Sequence, residues 1–224
     1  MTDLPSLTLT FAHIQSWMGD RAPGVNLRPP ADPAALDNFS AKSGLSLPDD
    51  LRELLLIADG ETRGSAGMVG NWRMLSIKEL QASWGLLDHI ARNGAFDGLE
   101  AESPPYIRKT WWDSGWIPVA SNDMGGYFCL DTNPPEPERA GQVLLFLQDR
   151  PERPLVAGSL RAWFDRIARD LDADVYTYDN ETGFNGEAFM WSALEGKHLF
   201  DEIEGKLMVK NDSSKQDPAR KTRT

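Results

Sequence analysis

Cysteine is almost missing: Cys129 is the single thiol among 224 residues. That excludes an intrachain disulfide and a cysteine-built metal cluster, and it fits a reducing compartment. Histidine is nearly as scarce. His13, His89 and His198 stand far apart, and none belongs to a His-x-x-x-His or comparable ligand pattern, so each reads as a surface or half-buried side chain. No run approaches the roughly 20 apolar residues that cross a bilayer. Met1 to Leu9 also lacks a basic segment followed by an apolar run, so the expectation is a cytoplasmic chain without membrane association. Basic charge is in deficit too, with 23 Lys and Arg against 34 Asp and Glu and a net charge of -11. An acidic surface repels phosphates, which sets nucleic acid aside and favours basic partners.

The deficit is uneven. From Lys206 to the end there are six basic side chains and two acidic ones, a surplus of four, which leaves -15 for residues 1–205. After Val209 this tail has almost nothing apolar to bury, so it is expected to be disordered. The resulting division is an N-terminal helix with a Pro-rich connection over 1–30, an α+β domain over 31–205 and a basic tail over 206–224.

The first half reads as helices. Leu7, Phe11, Ile14 and Met18 form an apolar stripe that stops at Gly19. Asp32 offers a capping oxygen before Pro33, and the helix that follows buries Leu36 and Phe39 and ends at Gly44. Pro48 opens a third helix with Leu51, Leu54, Leu55 and Ala58 on one face and Gly60 as its left-handed end. After a glycine-rich stretch, a short strand over 72–75 hands over to a helix capped by Ser76 with Glu79 at capping-box spacing. Ile77, Leu80, Trp84 and Leu87 are its buried stripe, and Gly94 closes it.

The second half changes period. Residues 116–120, 127–130, 141–147 and 155–157 are short β-branched and aromatic runs separated by Gly, Pro, Asn and Asp, which predicts an antiparallel meander. Ser159 then caps a helix whose Leu160, Trp163, Phe164, Ile167 and Leu171 suit packing on that sheet. Helices, then strands, then a helix give the α+β class. Val175 to Tyr178 reads as a further edge strand, and Phe184 to Phe200 is apolar without a clear period.

Four patterns invite a chemical reading. Asp170, Asp172, Asp174 and Glu181 have the spacing of positions 1, 3, 5 and 12 of a calcium loop, but position 6 is Val175 where a sharp turn normally needs glycine. An acidic helix end is the reading. Gly125-Gly126 leads into a strand without a following Lys-Ser/Thr, which makes it a hairpin turn and not a phosphate cradle. Asp123 and Asp131 flank that strand and would be the carboxylate pair of an enzyme alternative. Cys129 lies in an apolar strand with no base beside it. No catalytic residue, metal site or cofactor is expected.

Eight tryptophans are the unusual surplus. Most should be core; those near loops and outside the clear stripes, Trp72, Trp111 and Trp112, are candidates for a contact with another protein, where tryptophan often dominates binding energy. Glu61, Asp123 and Asp131, placed on loops beside the sheet, are the acidic candidates.

An ordered set of segments is similar to the SUKH superfamily, which includes fungal cell-wall assembly regulators and bacterial immunity proteins against toxins. The segments are Gly44-Leu45-Ser46-Leu47-Pro48-Asp49-Asp50-Leu51 leading to Asp59-Gly60, then Trp116-Ile117-Pro118-Val119-Ala120, and Gly126-Tyr127-Phe128-Cys129-Leu130-Asp131. Gly141-Gln142-Val143 and Ala157-Gly158-Ser159-Leu160 before Trp163 complete the set, which covers roughly residues 30 to 175. The resemblance implies N-terminal helices, a meander sheet closed by a helix, and protein recognition without catalysis. With the acidic charge, it makes an immunity protein facing a basic toxin domain the first expectation and a cell-wall or signalling scaffold the second.

Overall fold

Among the described residues, side-chain oxygens set four of the five α-helix starts. Ser6 accepts from Leu9 N at 3.3 Å to open α1 (Leu7–Met18), and Asp32 accepts from Ala34 N at 2.9 Å to open α2 (Pro33–Ser43), with Pro33 in the first turn. Ser76 and Glu79 form a reciprocal capping box at the head of α4 (Ile77–Arg92), and Ser159 accepts from Ala162 N to start α5 (Leu160–Asp172). Only α3 (Asp49–Ile57) begins without a side-chain cap. The computed structural model describes residues 4–182 except 20, 23, 66 and 69–71, together with 188–193. The basic tail lies outside the described residues.

Five strands, β1 (Arg73–Met74), β2 (Trp116–Ser121), β3 (Gly126–Asp131), β4 (Gln142–Leu147) and β5 (Leu155–Ala157), pair antiparallel in sequence order. This is the predicted α+β meander. Pro118 sits inside the sheet because the β2–β3 register slips between Pro118 and Ala120, a bulge being where a residue without an N–H is tolerated. Beside the slip, the Val119 carbonyl accepts from Leu75 N at 2.9 Å and extends the pairing with β1.

Both faces of the sheet are covered. On the first, Ile117, Val119, Phe128, Leu130, Val143 and Leu145 share one core with α1, α3 and α5, and Trp163 is fully buried between Phe128 and Phe164 at 4.8 and 5.7 Å. On the second, Trp116, Cys129, Leu144 and Phe146 meet Leu87 of α4 and Ile107 and Trp112 from the irregular segment between α4 and β2. Successive side chains of a strand alternate faces, so each central strand reads as apolar throughout.

Two expectations change. Helix α3 stops at Ile57 with Ala58 extended, so Gly60 does not terminate it; its φ of +66° serves a close approach to Leu75 and Ser76. The predicted edge strand after Val175 joins a separate two-stranded sheet, β6 (Tyr176–Thr182) with β7 (Ala188–Ala193). The spaced acids are the helix end that the sequence predicts: Asp170 and Asp172 belong to the last turn of α5, where Arg166 holds Asp170 at 2.6 Å and His13 of α1 meets Asp172 at 2.9 Å. Among the described residues no helix is long and apolar enough to cross a membrane, and no group of three His, Cys, Asp or Glu is placed to hold a metal.

Candidate functional site

The turn between β2 and β3 is held from several sides. Asn122 Oδ1 accepts from Met124 N at 2.9 Å and from Gly126 N at 2.8 Å, Ser121 Oγ accepts from Asp123 N at 2.9 Å, and Gln148 N donates to the Gly125 carbonyl. The chain bends through φ values of +56° at Asp123 and +89° at Gly125. Trp72 packs on Phe128, with ring centroids 4.4 Å apart, and lies directly under Gly126, where any Cβ would come within 2.8 Å of its ring.

One buried arginine ties this turn to two other elements. Arg73 of β1 donates to Asp123 at 3.0 Å and to both carboxylate oxygens of Glu79 at 3.1 Å. Arg63 and Arg28 approach the same Glu79 oxygen at 3.5 and 4.0 Å. Burial alone would raise the Glu79 carboxyl, but the Ser76 hydrogen bonds and the Arg73 charge outweigh it and hold Glu79 below the usual carboxylate range. The Arg73 guanidinium is in turn lifted: burial opposes its charge, and Asp123 and Glu79 more than restore it.

Glu61 anchors the loop that precedes β1. Its Oε1 accepts from Met68 N at 3.0 Å and Met74 N at 2.8 Å, while Ser65 donates to Oε2. Burial pushes its carboxyl upward against those hydrogen bonds. Glu61→Ala strands two buried N–H groups and is expected to cost about 2–4 kcal/mol, whereas Glu61→Gln keeps an acceptor for both and should cost less. The pH dependence has a definite sign. A carboxyl raised on folding stabilises fully below its ordinary 4.5, and that contribution is lost as pH rises through the folded value. Urea melts at pH 5 and pH 8 should show the wild type losing more stability over that rise than Glu61→Gln; equal losses would remove Glu61 as a buried titrating group.

The six sequence candidates thus divide. Glu61 and Asp131 are fully buried, and Trp72 and Trp112 nearly so, which takes them off the loop surface where a partner was expected. Asp131 accepts from Gln142 Nε2 at 3.0 Å and Asn133 N at 3.1 Å, and burial raises its carboxyl. Trp112 packs edge-on against Trp116 and Phe146 in the second core, and half-buried Trp111 lies against Arg153. Only Asp123, its side chain 64% exposed, stands at the surface beside a built turn. Its neighbour Met124, 86% exposed, was not anticipated; the available signal was an apolar residue inside a run of turn formers, Asn122-Asp123-Met124-Gly125-Gly126.

The enzyme alternative loses its pair. Asp123 and Asp131 occupy opposite ends of the β2–β3 hairpin, roughly 17 Å apart at strand spacing, beyond the roughly 6.5–9.5 Å that two hydrolytic carboxylates use. Cys129 is fully buried, and burial pushes its thiol upward, away from a reactive thiolate.

A family model described as the SMI1 / KNR4 family (SUKH-1) matches residues 30–166, from just before α2 into α5. The "Cell wall biosynthesis/cell cycle regulator smi1" of Schizosaccharomyces pombe is 29% identical over 164 residues, 67% of this chain and 31% of that protein. A "KNR4/SMI1 homolog" of Yarrowia lipolytica is 23% identical over 229 residues, 80% of this chain and 32% of the relative. The "Glucan synthesis regulatory protein" of Neurospora crassa is 24% identical over 183 residues, 66% and 34% of the two. The match therefore spans 31–34% of these relatives' own length.

Proposed function

Because the chain belongs to the SMI1/KNR4 (SUKH-1) family, we propose that it is a non-catalytic protein-binding domain acting in the regulation of cell-wall synthesis. The observation that carries this reading is the extent of the family match: residues 30–166 contain the whole five-stranded sheet, helices α2 to α4 and the first half of α5, so the likeness covers the sheet and most of what packs on it. Two of the relatives carry the names of a cell-wall regulator and a glucan-synthesis regulator. That support puts wall regulation ahead of toxin immunity, the reverse of the order expected from acidic composition. The separation of Asp123 from Asp131 and the burial of Cys129 favour binding over catalysis.

The charge of -15 on residues 1–205 favours a partner with a basic face, whose approach is then accelerated at low salt. The test is genetic. Deleting the gene in its native organism should change sensitivity to an inhibitor of wall glucan synthesis, and restoring the chain should reverse the change. Unaltered sensitivity, together with lost protection against a toxin delivered by neighbouring cells, would overturn this reading in favour of immunity.

A further inference from the structure

We propose that the β2–β3 turn is a docking knob: Met124 enters an apolar pocket on a partner protein, and basic side chains at that pocket's rim pair with Asp123. The inference rests on the binding-domain reading above and assigns its contact point.

Exposure is the first ground. Met124 is 86% exposed, more than Leu9 at 67% or Leu86 at 57%, and those two lie on helix surfaces where single exposed apolar residues are ordinary. Rigidity is the second. The backbone at Asp123 takes a positive φ, a region that residues other than Gly, Asn and Asp seldom enter. The polar groups around it are consumed in holding that shape: the Asn122 oxygen by Met124 N and Gly126 N, the Ser121 oxygen by Asp123 N, the Gly125 carbonyl by Gln148 N, and the Asp123 carboxylate by buried Arg73. The turn uses the Met124 main chain and leaves its side chain outward, so a thioether is displayed on a frame that has already lost its freedom, and little ordering entropy remains to be lost on binding.

Shape and charge then specify the partner. A convex apolar tip is buried only by a concave site, so the pocket belongs to the partner; methionine's flexible, polarisable chain suits irregular pockets. Asp123 stands immediately beside it, 64% exposed, on a chain whose first 205 residues carry -15. The exposed Arg63 is paired with Glu79. Lys or Arg at the pocket rim would meet the carboxylate without displacing Arg73.

The experiment uses the full chain in its native host, with a diazirine amino acid of methionine's size placed at 124 and, separately, at 9 and 86. Irradiation should yield one dominant adduct from position 124 alone, suppressed by excess unlabelled wild type, with the partner's cross-linked peptide lining an apolar depression bordered by Lys or Arg. With that partner purified, Met124→Leu should keep its affinity, while Met124→Asp should weaken it about 10-fold or more and leave the melting temperature unchanged. Adducts from 9 or 86 but not 124 would overturn the knob and leave the binding domain standing. No adduct from any position would overturn both. A covalent dimer of this chain from 124 would replace the foreign pocket with self-association and overturn the proposal as well.

Discussion

Gly60→Ala is expected to lower stability by about 2–5 kcal/mol, the sum of a left-handed φ forced on alanine and steric overlap in a packed region. At Gly60 φ is +66°, and a Cβ would lie 2.5 Å from Leu75 C and Ser76 N and 2.7 Å from Leu75 O. All three are main-chain atoms at the entry to α4, where Ser76 caps the helix, so none can rotate aside. Nor can the glycine retreat. Its carbonyl accepts from Arg28 N at 2.9 Å, and the adjacent Asp59 carboxylate accepts from Ile77 N at 2.7 Å. Chemical denaturation monitored by tryptophan fluorescence measures the loss. A change below about 1 kcal/mol would mean that the α3–β1 connection is far softer than its hydrogen bonds imply.

Replacing Arg153 should be at least as costly, and lysine should not rescue it. The residue is fully buried, with no exposed side-chain surface. Its Nη1 donates to the Arg150 and Glu152 carbonyls at 2.6 and 2.8 Å, its Nη2 to the Trp111 carbonyl at 2.8 Å and its Nε to the same oxygen at 3.2 Å. The guanidinium also lies 5.0 Å from the Trp111 ring centre and 4.6 Å from that of Phe146. Burial lowers it to about 10, so it remains charged at neutral pH. A planar fork with fixed N–H directions matches three carbonyls and two ring faces, and a lysine ammonium has neither the shape nor the reach. We expect Arg153→Met to cost about 3–5 kcal/mol and Arg153→Lys about 2–4 kcal/mol. A lysine variant as stable as the wild type would show that charge alone, and not the fork, holds the segment around Trp111 to the sheet.

Helices α1 to α5 were legible because each carries a 3.6-residue stripe, joined at α2, α4 and α5 by a capping oxygen, and the strand order was legible because turn residues punctuate β2, β3 and β4. What escaped reading depends on contacts between elements distant in sequence. The segment that covers the second face has no period, so Ile107 and Trp112 gave no sign that they close a second core. Trp72, Trp111 and Trp112 looked available because they neighbour loops. Their burial comes largely from Gly126, Arg153 and Phe146, all of them remote in the chain. Glu61 is a similar case: an acid before a glycine-rich stretch resembles a solvated loop residue, yet besides Ser65 its partners are main-chain N–H groups, which leave no mark on the sequence. Of the exposed tip of the candidate site, Asp123 and the hairpin turn at Gly125-Gly126 were legible, and Met124 was not.

The five-stranded sheet ends on very short strands, two residues in β1 and three in β5. A sheet edge is a row of main-chain donors and acceptors open to another chain's strand, and long flat edges seed aggregation. Here Pro154 stands immediately before β5, and its carbonyl is already taken by Leu145 N at 3.0 Å. The longer strands β2, β3 and β4 have neighbours on both sides. Little strand-length edge is left for a second copy to extend, so this sheet resists zipping into fibres even though the molecule carries an apolar side chain in full view of solvent.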